Sequence, residues 1–275
     1  MRYFITYGDK NYSKSRERIG REARQLGIFD KVLTYSFEDL SPEFQKNPLF
    51  KNKRTAGYWC WKPWIMLKTM SMANEGDIIC YCDCGCTIQP SKEWNKWFSI
   101  LEHRDMLFFR IIKRCKQFTK RYVMEYFTPD LGKYWGNYYQ MGANLFLLKK
   151  TPFSLKFMQE DMSLFTEKMM VDDTPEELRN EPPYFIAHRY DQSLMTALVY
   201  KYFPLKHIRI LTNTFEAKYK GQAVLATRIT NEGIKSKKVS KGMLKAHVVR
   251  PIGNFIRAIE QYYWMFRNRW HKIRF

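Results

Sequence analysis

Residues 2–36, "RYFITYGDKNYSKSRERIGREARQLGIFDKVLTYS", decide the fold class. "RYFITYGD" (2–9) is an apolar run closed by a glycine turn, the pattern of a buried first strand. "YSKSRERIGREARQLG" (12–27) sets Ile19, Ala23 and Leu26 at helical spacing, with Ser13 or Ser15 to cap it and Gly27 to stop it. "KVLTYS" (31–36) is a second strand. Strand, helix, strand in immediate succession implies parallel neighbours joined by a right-handed crossover.

The same alternation continues. Pro63 suits the first turn of a helix over about 63–73. "DIICYCD" (77–83) is the next strand and "SKEWNKWFSILEHR" (91–104) an amphipathic helix. "DMLFFRII" (105–112) and "NLFLLKK" (144–150) read as strands, and "IRIL" (208–211) as a late one. "SLKFMQEDMSLFTEKMM" (154–170) and "DQSLMTALVYKYF" (191–203) read as helices. The class predicted is α/β: a Rossmann-type, mostly parallel central sheet flanked by helices.

The chain has 275 residues, with 45% apolar and 17% aromatic side chains, enough to bury a sizeable core. Its formal net charge of +20 predicts attraction to polyanions: nucleic acid, an anionic membrane face, or phosphate-bearing small molecules. "MRYFITYGDKNYS" is too short an apolar run for a secretory signal, and no segment reaches the roughly 18 apolar residues of a membrane span. The expectation is a cytoplasmic chain with reduced thiols.

Residues 234–275 differ from the rest. They hold eleven Lys or Arg and one acid, Glu260. Ile252, Phe255, Ile256, Ile259, Tyr262, Tyr263 and Phe266 recur at helical spacing, with Arg257, Arg267 and Arg269 on the polar side. This predicts a basic amphipathic helical segment, 234–275, after a main domain of residues 1–233. Two uses fit it: peripheral attachment to the inner, anionic face of a membrane, or packing of the aromatic stripe on the domain.

"GDIICYCDCGC" (76–86) carries four cysteines at period two, so an extended backbone turns Cys80, Cys82, Cys84 and Cys86 to one face. Sulfurs spaced about 6.6–7 Å per step cannot gather on one ion or join as disulfides along one strand. They read as small apolar fillers. Asp83 points the other way, at the carboxyl end of its strand, where open α/β sheets bind ligands. A carboxylate there can hold a divalent cation that holds phosphate oxygens, or it can simply cap the turn.

"GYWCWKPWIMLKTM" (57–70), "GDIICYCDCGC", "YYQMGANLFLLKK" (138–150) and "HRYDQSL" (188–194), in that order, resemble GT-A-type nucleotide-sugar glycosyltransferases of bacterial or viral surface-polysaccharide (lipopolysaccharide, capsule) biosynthesis. The resemblance runs from the first strand to about residue 212. It implies a GT-A-like fold and transfer of a sugar from a nucleotide-sugar to a hydroxyl of a glycan or lipid-linked acceptor. It implies a divalent cation, Mn²⁺ or Mg²⁺, on Asp83; Gly85 stands where the family's Asp-x-Asp motif has its second aspartate.

The remaining assignments follow from the resemblance. Thr6, Tyr7 and Gly8 match the base-cradling segment, with Arg18 as a phosphate candidate. Lys62 is a point charge for the diphosphate, and Trp61, with Trp59 and Trp64, walls the donor pocket or fills core. Gln140 and Asn144 match a polar substrate wall. Asp191 matches either the general base of inverting members or, with Gln192, the Asp-Gln pair beneath the anomeric carbon in retaining ones. His188 is a metal-ligand or phosphate-donor candidate. From the charge alone, the rival reading is a nucleic-acid-binding protein without catalytic activity, although no RNP, KH or zinc-finger pattern is present.

Overall fold

β1 (Arg2–Tyr7) is buried along all but its first residue, as a strand covered on both faces must be. α1 (Ser13–Gln25) buries Ser15, Ile19, Gly20 and Ala23, and leads into β2 (Lys31–Tyr35), parallel to β1. The computed structural model describes residues 1–51, 55–171, 179–203, 206–216, 218–234, 256–257 and 259–268.

α2 (Trp61–Met72) carries the chain to β3 (Ile78–Cys82), which pairs parallel with the other side of β1. A short β4 (Thr87–Ile88) and α3 (Lys92–His103) follow, the helix capped by Ser91 Oγ accepting from Glu93 N–H. β5 (Met106–Arg114) leads to α4 (Arg121–Leu131), then β6 (Tyr139–Met141) and β7 (Leu145–Lys149). α5 (Pro152–Ser163), α6 (Asp191–Tyr202) and β8 (Ile208–Thr212) complete the main body.

The sheet order is β2-β1-β3-β7-β5-β6, with β8 also paired to β5. β7 runs antiparallel to both β3 and β5, and β6 antiparallel to β5. β8 is parallel to β5. Five strands therefore run one way and two against them, the mostly parallel α/β sheet expected. The expected 154–170 helix stops at Ser163, and a separate turn, Glu167–Met170, begins after the Thr166 cap.

Two cores cover the two faces. One gathers Tyr3, Ile5, Trp61, Ile65, Tyr81, Phe108, Phe146 and the α6 residues. The other holds Phe4, Ile19, Trp94, Trp97, Phe109 and all four cysteines of 80–86, each a buried filler as expected. Residues 259–268 are helical and pack on the edge made by β6 and the segment before it. No helix among the described residues is long and apolar enough to cross a membrane.

Gly20 marks the closest approach of α1 to the sheet: a Cβ there would lie 2.7 Å from Thr34 Cγ2. Alanine would improve helix propensity by about 1 kcal/mol, but overpacking against a stiff β-branched neighbour costs about 1–3 kcal/mol. Gly20→Ala should lower stability in denaturant melts, and Gly20→Ala/Thr34→Ser should recover it. A single variant more stable than the parent would show that the helix can simply move outward.

Candidate active site

β1 lies between β2 and β3, and the chain leaves it first for one side and then for the other. That reversal puts the topological switch point, the crevice position where open α/β sheets bind ligands, beyond the carboxyl ends of β1 and β3. Thr6, Tyr7 and Gly8 stand at the end of β1, and Asp83 follows β3.

The turn carrying Asp83 is firmly built. Cys86 N–H donates to Asp83 O at 2.9 Å, closing it, and Asp83 N–H donates to Asn144 O at 2.9 Å. Arg18 donates to the carbonyls of Cys84 (3.0 Å) and Cys86 (2.6 Å) and pairs with Glu22. The arginine expected at phosphate is thus a brace for the turn. Asn144 braces it too, through that carbonyl and an amide contact to Cys86 Sγ.

Period two puts Tyr81 and Asp83 on one face, and Tyr81 donates its hydroxyl to Asp83 Oδ1. Lys62, one residue into α2, is almost fully buried. Its Nζ donates to Asp191 Oδ2 at 2.5 Å and to Ala143 O at 2.9 Å, and lies 3.6 Å from Asp83 Oδ1. Burial works against the ammonium, but Asp191 and then Asp83 outweigh it and hold its pKa above the ordinary range. The three groups form a row, Asp191–Lys62–Asp83, running from the interior outward. Asp191 and Lys62 are buried, while the Asp83 side chain keeps 36% of its surface exposed. The row carries one net negative charge, and Asp83 is its accessible end.

At the end of β1 and the start of α2 three buried side-chain atoms have no hydrogen-bond partner: Tyr7 OH and Trp61 Nε1 on one face of the sheet, and Thr6 Oγ1 on the other. Tyr7 stacks on Trp61 at 3.9 Å between ring centroids. Each such atom costs about 1–3 kcal/mol if it stays unmet, so the stacked Tyr7–Trp61 pair offers two polar atoms that a ligand or water would satisfy. Trp64 instead stacks on Phe44, and Trp59 packs near Tyr190.

Gln140 is fully buried. Its amide nitrogen donates to Phe118 O (2.9 Å), Thr119 Oγ1 (3.0 Å) and Ser193 Oγ (3.3 Å), so its oxygen is left to accept from Gln192 Nε2. That contact fixes the amide of Gln192, half-buried in the first turn of α6. His188 is buried with both ring nitrogens engaged, one accepting from Lys120 N–H (3.3 Å) and the other facing Met169 O (3.0 Å). Burial, then Lys120, pushes its pKa down to about 3, so it is neutral. It joins three segments and offers no free lone pair to a metal or proton to a phosphate.

Sequence reasoning did not pick out Asp161. It sits on α5 at the position four residues after Phe157, on the buried stripe, which is the signal that could have found it. Its Oδ1 is buried without a partner. Burial, followed by the charge of Asp191 and opposed by Lys62, lifts its carboxyl from 3.8 to about 8. The backbone also strains nearby. Ala56, Gly57, Tyr58 and Trp59 all have positive φ (46°, 77°, 55° and 61°), as does Tyr190 (44°), and Tyr58 and Trp59 pack on Tyr190.

Among the described residues no group of three or more His, Cys, Asp or Glu could hold a metal. No known protein-family profile matches the chain, and no curated protein matches it. Among solved structures it is similar to mouse xyloside xylosyltransferase 1, at 11% identity over 77% of this chain and 85% of that one, TM-score 0.42. It is similar to a glycosyltransferase involved in glycosylation of the major capsid of PBCV-1, at 11% identity over 71% and 90%, TM-score 0.38. A third is the galactosyltransferase LgtC, at 13% identity over 71% and 70%, TM-score 0.37.

Asp161 yields a pH-dependent test. The folded chain keeps its proton up to about pH 8, while the unfolded chain releases it near 3.8. Between those values the fold binds the extra proton, so this group's stabilising effect is full at low pH and is lost as pH rises, by at most about 1.4 kcal/mol per unit. Asp161→Asn removes that dependence. Its melting temperature should exceed the parent's by a wider margin at pH 8 than at pH 5; a margin that does not widen would mean Asp161 is ionised in the fold.

Proposed function

We propose that the chain is a glycosyltransferase that moves a sugar from a nucleotide-sugar to a hydroxyl of a glycan or glycolipid. The observation that carries this reading is Asp83: a half-exposed carboxylate backed by a buried Lys62–Asp191 pair, at the crevice where the sheet reverses. The unmet polar atoms of Tyr7 and Trp61, on the same face of the sheet as Tyr81, support a polar ligand beside it. The order of the WCWKPW, CDCGC, QMGAN and HRYDQS blocks supports a donor with a sugar diphosphate, and a role in surface-polysaccharide or lipopolysaccharide assembly.

In the reaction the acceptor oxygen bonds to the anomeric carbon. The bond from that carbon to the diphosphate breaks, the diphosphate leaves with the electron pair, and its oxygen takes up the hydroxyl proton. Asp83 and the end of β1 hold the donor. Burial raises the Asp191 pKa despite Lys62, but the carboxylate is buried and its Oδ2 is taken by Lys62 Nζ at 2.5 Å, which leaves it badly placed to reach an acceptor hydroxyl. It acts through Lys62, as a positioning residue. Gln192 is better suited to face the reacting carbon: Gln140 takes its amide nitrogen, leaving the carbonyl oxygen to stabilise positive charge there.

One carboxylate is a sparse cation site, yet Mg²⁺ commonly binds through one or two carboxylates plus substrate phosphates. The residues therefore fit a cation that arrives with the donor. Asp83 would hold it, and when bound it would neutralise charge on the departing diphosphate.

A thermal-shift screen of UDP-, GDP-, dTDP- and CMP-sugars, with and without Mn²⁺, should find one stabilising donor. Calorimetry should show Asp83→Asn weakening that donor at least about tenfold, with the folded circular-dichroism spectrum retained. Gln192→Ala should bind the donor within about threefold of the parent and lose transfer by about 10² or more. If no donor binds in any condition while duplex or single-stranded nucleic acid binds tightly at physiological salt, the nucleic-acid reading replaces this one.

A further inference from the structure

The helix at residues 259–268 buries Met265 and packs Trp264 on the domain, yet it turns most of its aliphatic and aromatic stripe outward. Gln261 and Asn268 are buried (4% and 3% exposed), whereas Ile256, Ile259, Tyr262 and Tyr263 are 57%, 54%, 56% and 53% exposed. The inward residues are held by polar contacts to the domain. Gln261 Oε1 accepts from Tyr139 N–H at 3.0 Å, and Asn268 Oδ1 accepts from Tyr134 N–H at 3.0 Å. Asn268 Nδ2 donates to Tyr138 OH at 2.6 Å. Glu260 pairs with Arg114 at 2.5 Å and accepts from Tyr139 OH at 3.0 Å. The fold thus fixes an aliphatic and aromatic face outward.

We infer that this face docks on an anionic lipid bilayer, with the helix lying in the plane of the interface. Charge decides the occupant. Residues 234–275 hold eleven Lys or Arg against Glu260 alone, and Arg114 already neutralises Glu260. Cations near an anionic surface are drawn to it, and of these Arg257 and Arg267 are the two among the described residues. A second copy would bring the same cations against these and repel. Tyrosines suit the headgroup boundary, where a ring can sit in apolar surroundings and its hydroxyl in water. Arg267, whose guanidinium lies 4.8 Å from the Tyr134 ring and donates to Tyr263 OH, sits beside the same face. This surface does not depend on the transfer reaction, and its test reads binding alone.

The experiment is flotation of the full chain with vesicles of phosphatidylcholine alone and with about 30% phosphatidylserine. The chain should float with the anionic vesicles and about tenfold less with neutral ones, and 0.5 M NaCl should reduce binding about tenfold. Ile256→Ser/Ile259→Ser should cut partitioning by at least about tenfold with an unchanged melting temperature. Should that variant fold poorly, brominated lipid supplies the second readout on the parent chain. It should quench tryptophan fluorescence in anionic vesicles, by way of Trp264 beside this face. Three results would overturn the inference: equal flotation of parent and variant, no quenching, or a concentration-dependent dimer that the serine variant abolishes. An acidic protein that binds this face while vesicles do not would overturn it too.

Discussion

An ammonium group taken out of water must be matched by charge and hydrogen bonds, or the site will not hold. Lys62 meets that demand with Asp191, Ala143 O and Asp83, and so four segments converge on one nitrogen. They are the start of α2, the start of α6, the turn before β7 and the end of β3. Removing one partner of a buried pair typically destabilises by about 3–5 kcal/mol. The same contact sets the site's electrostatics: the interior consumes Asp191 and Lys62 and leaves Asp83 as the member that meets solvent. The carboxylate most available to a ligand is thus held in place by two groups that are not.

The backbone on either side of this junction is bent into unfavourable conformations. Left-handed geometry costs about 1–2 kcal/mol for each non-glycine residue, and three occur at Ala56, Tyr58 and Trp59. Gly57 is confined as well, since a Cβ there would meet the Phe50 ring at 2.6 Å. Strain persists only where surrounding contacts over-determine it. Here the contacts are the buried Tyr58 ring against Tyr190, itself at φ 44°, one residue before Asp191. The turn aims α2 so that Lys62, its second residue, enters the core. Straightening it would withdraw the cation from both aspartates.

Much of the fold was legible because strands and helices announce themselves by period. Residues 2–36, 91–104, 191–203 and 208–211 formed the elements expected of them, within a residue or two. α4 was missed because Pro129 lies inside it, and β6 because three residues show no period. At the site, position was more legible than role. Asp83, Lys62, Asp191 and Gln192 do gather near the crevice. Yet a residue's role depends on which groups from distant parts of the chain surround it. Arg18 meets carbonyls 66 and 68 residues away, and His188 is held between Lys120 and Met169. Spacing carries none of that information.

The terminal helix shows the same limit more sharply: of the segment 234–275 only 234, 256–257 and 259–268 are among the described residues, and the apolar spacing there does not imply the orientation. An apolar stripe is expected inside because burial of apolar surface usually dominates. Here the receiving surface is the margin of the sheet at β6, where main-chain N–H groups need acceptors. Tyr139 N–H and Tyr134 N–H find them in Gln261 and Asn268, and Arg114 finds Glu260. A helix that turned its isoleucines inward would leave those two N–H donors without their acceptors and would take Glu260 from Arg114. The sheet edge therefore selects the polar face, and the apolar stripe is left outside because the domain has no use for it.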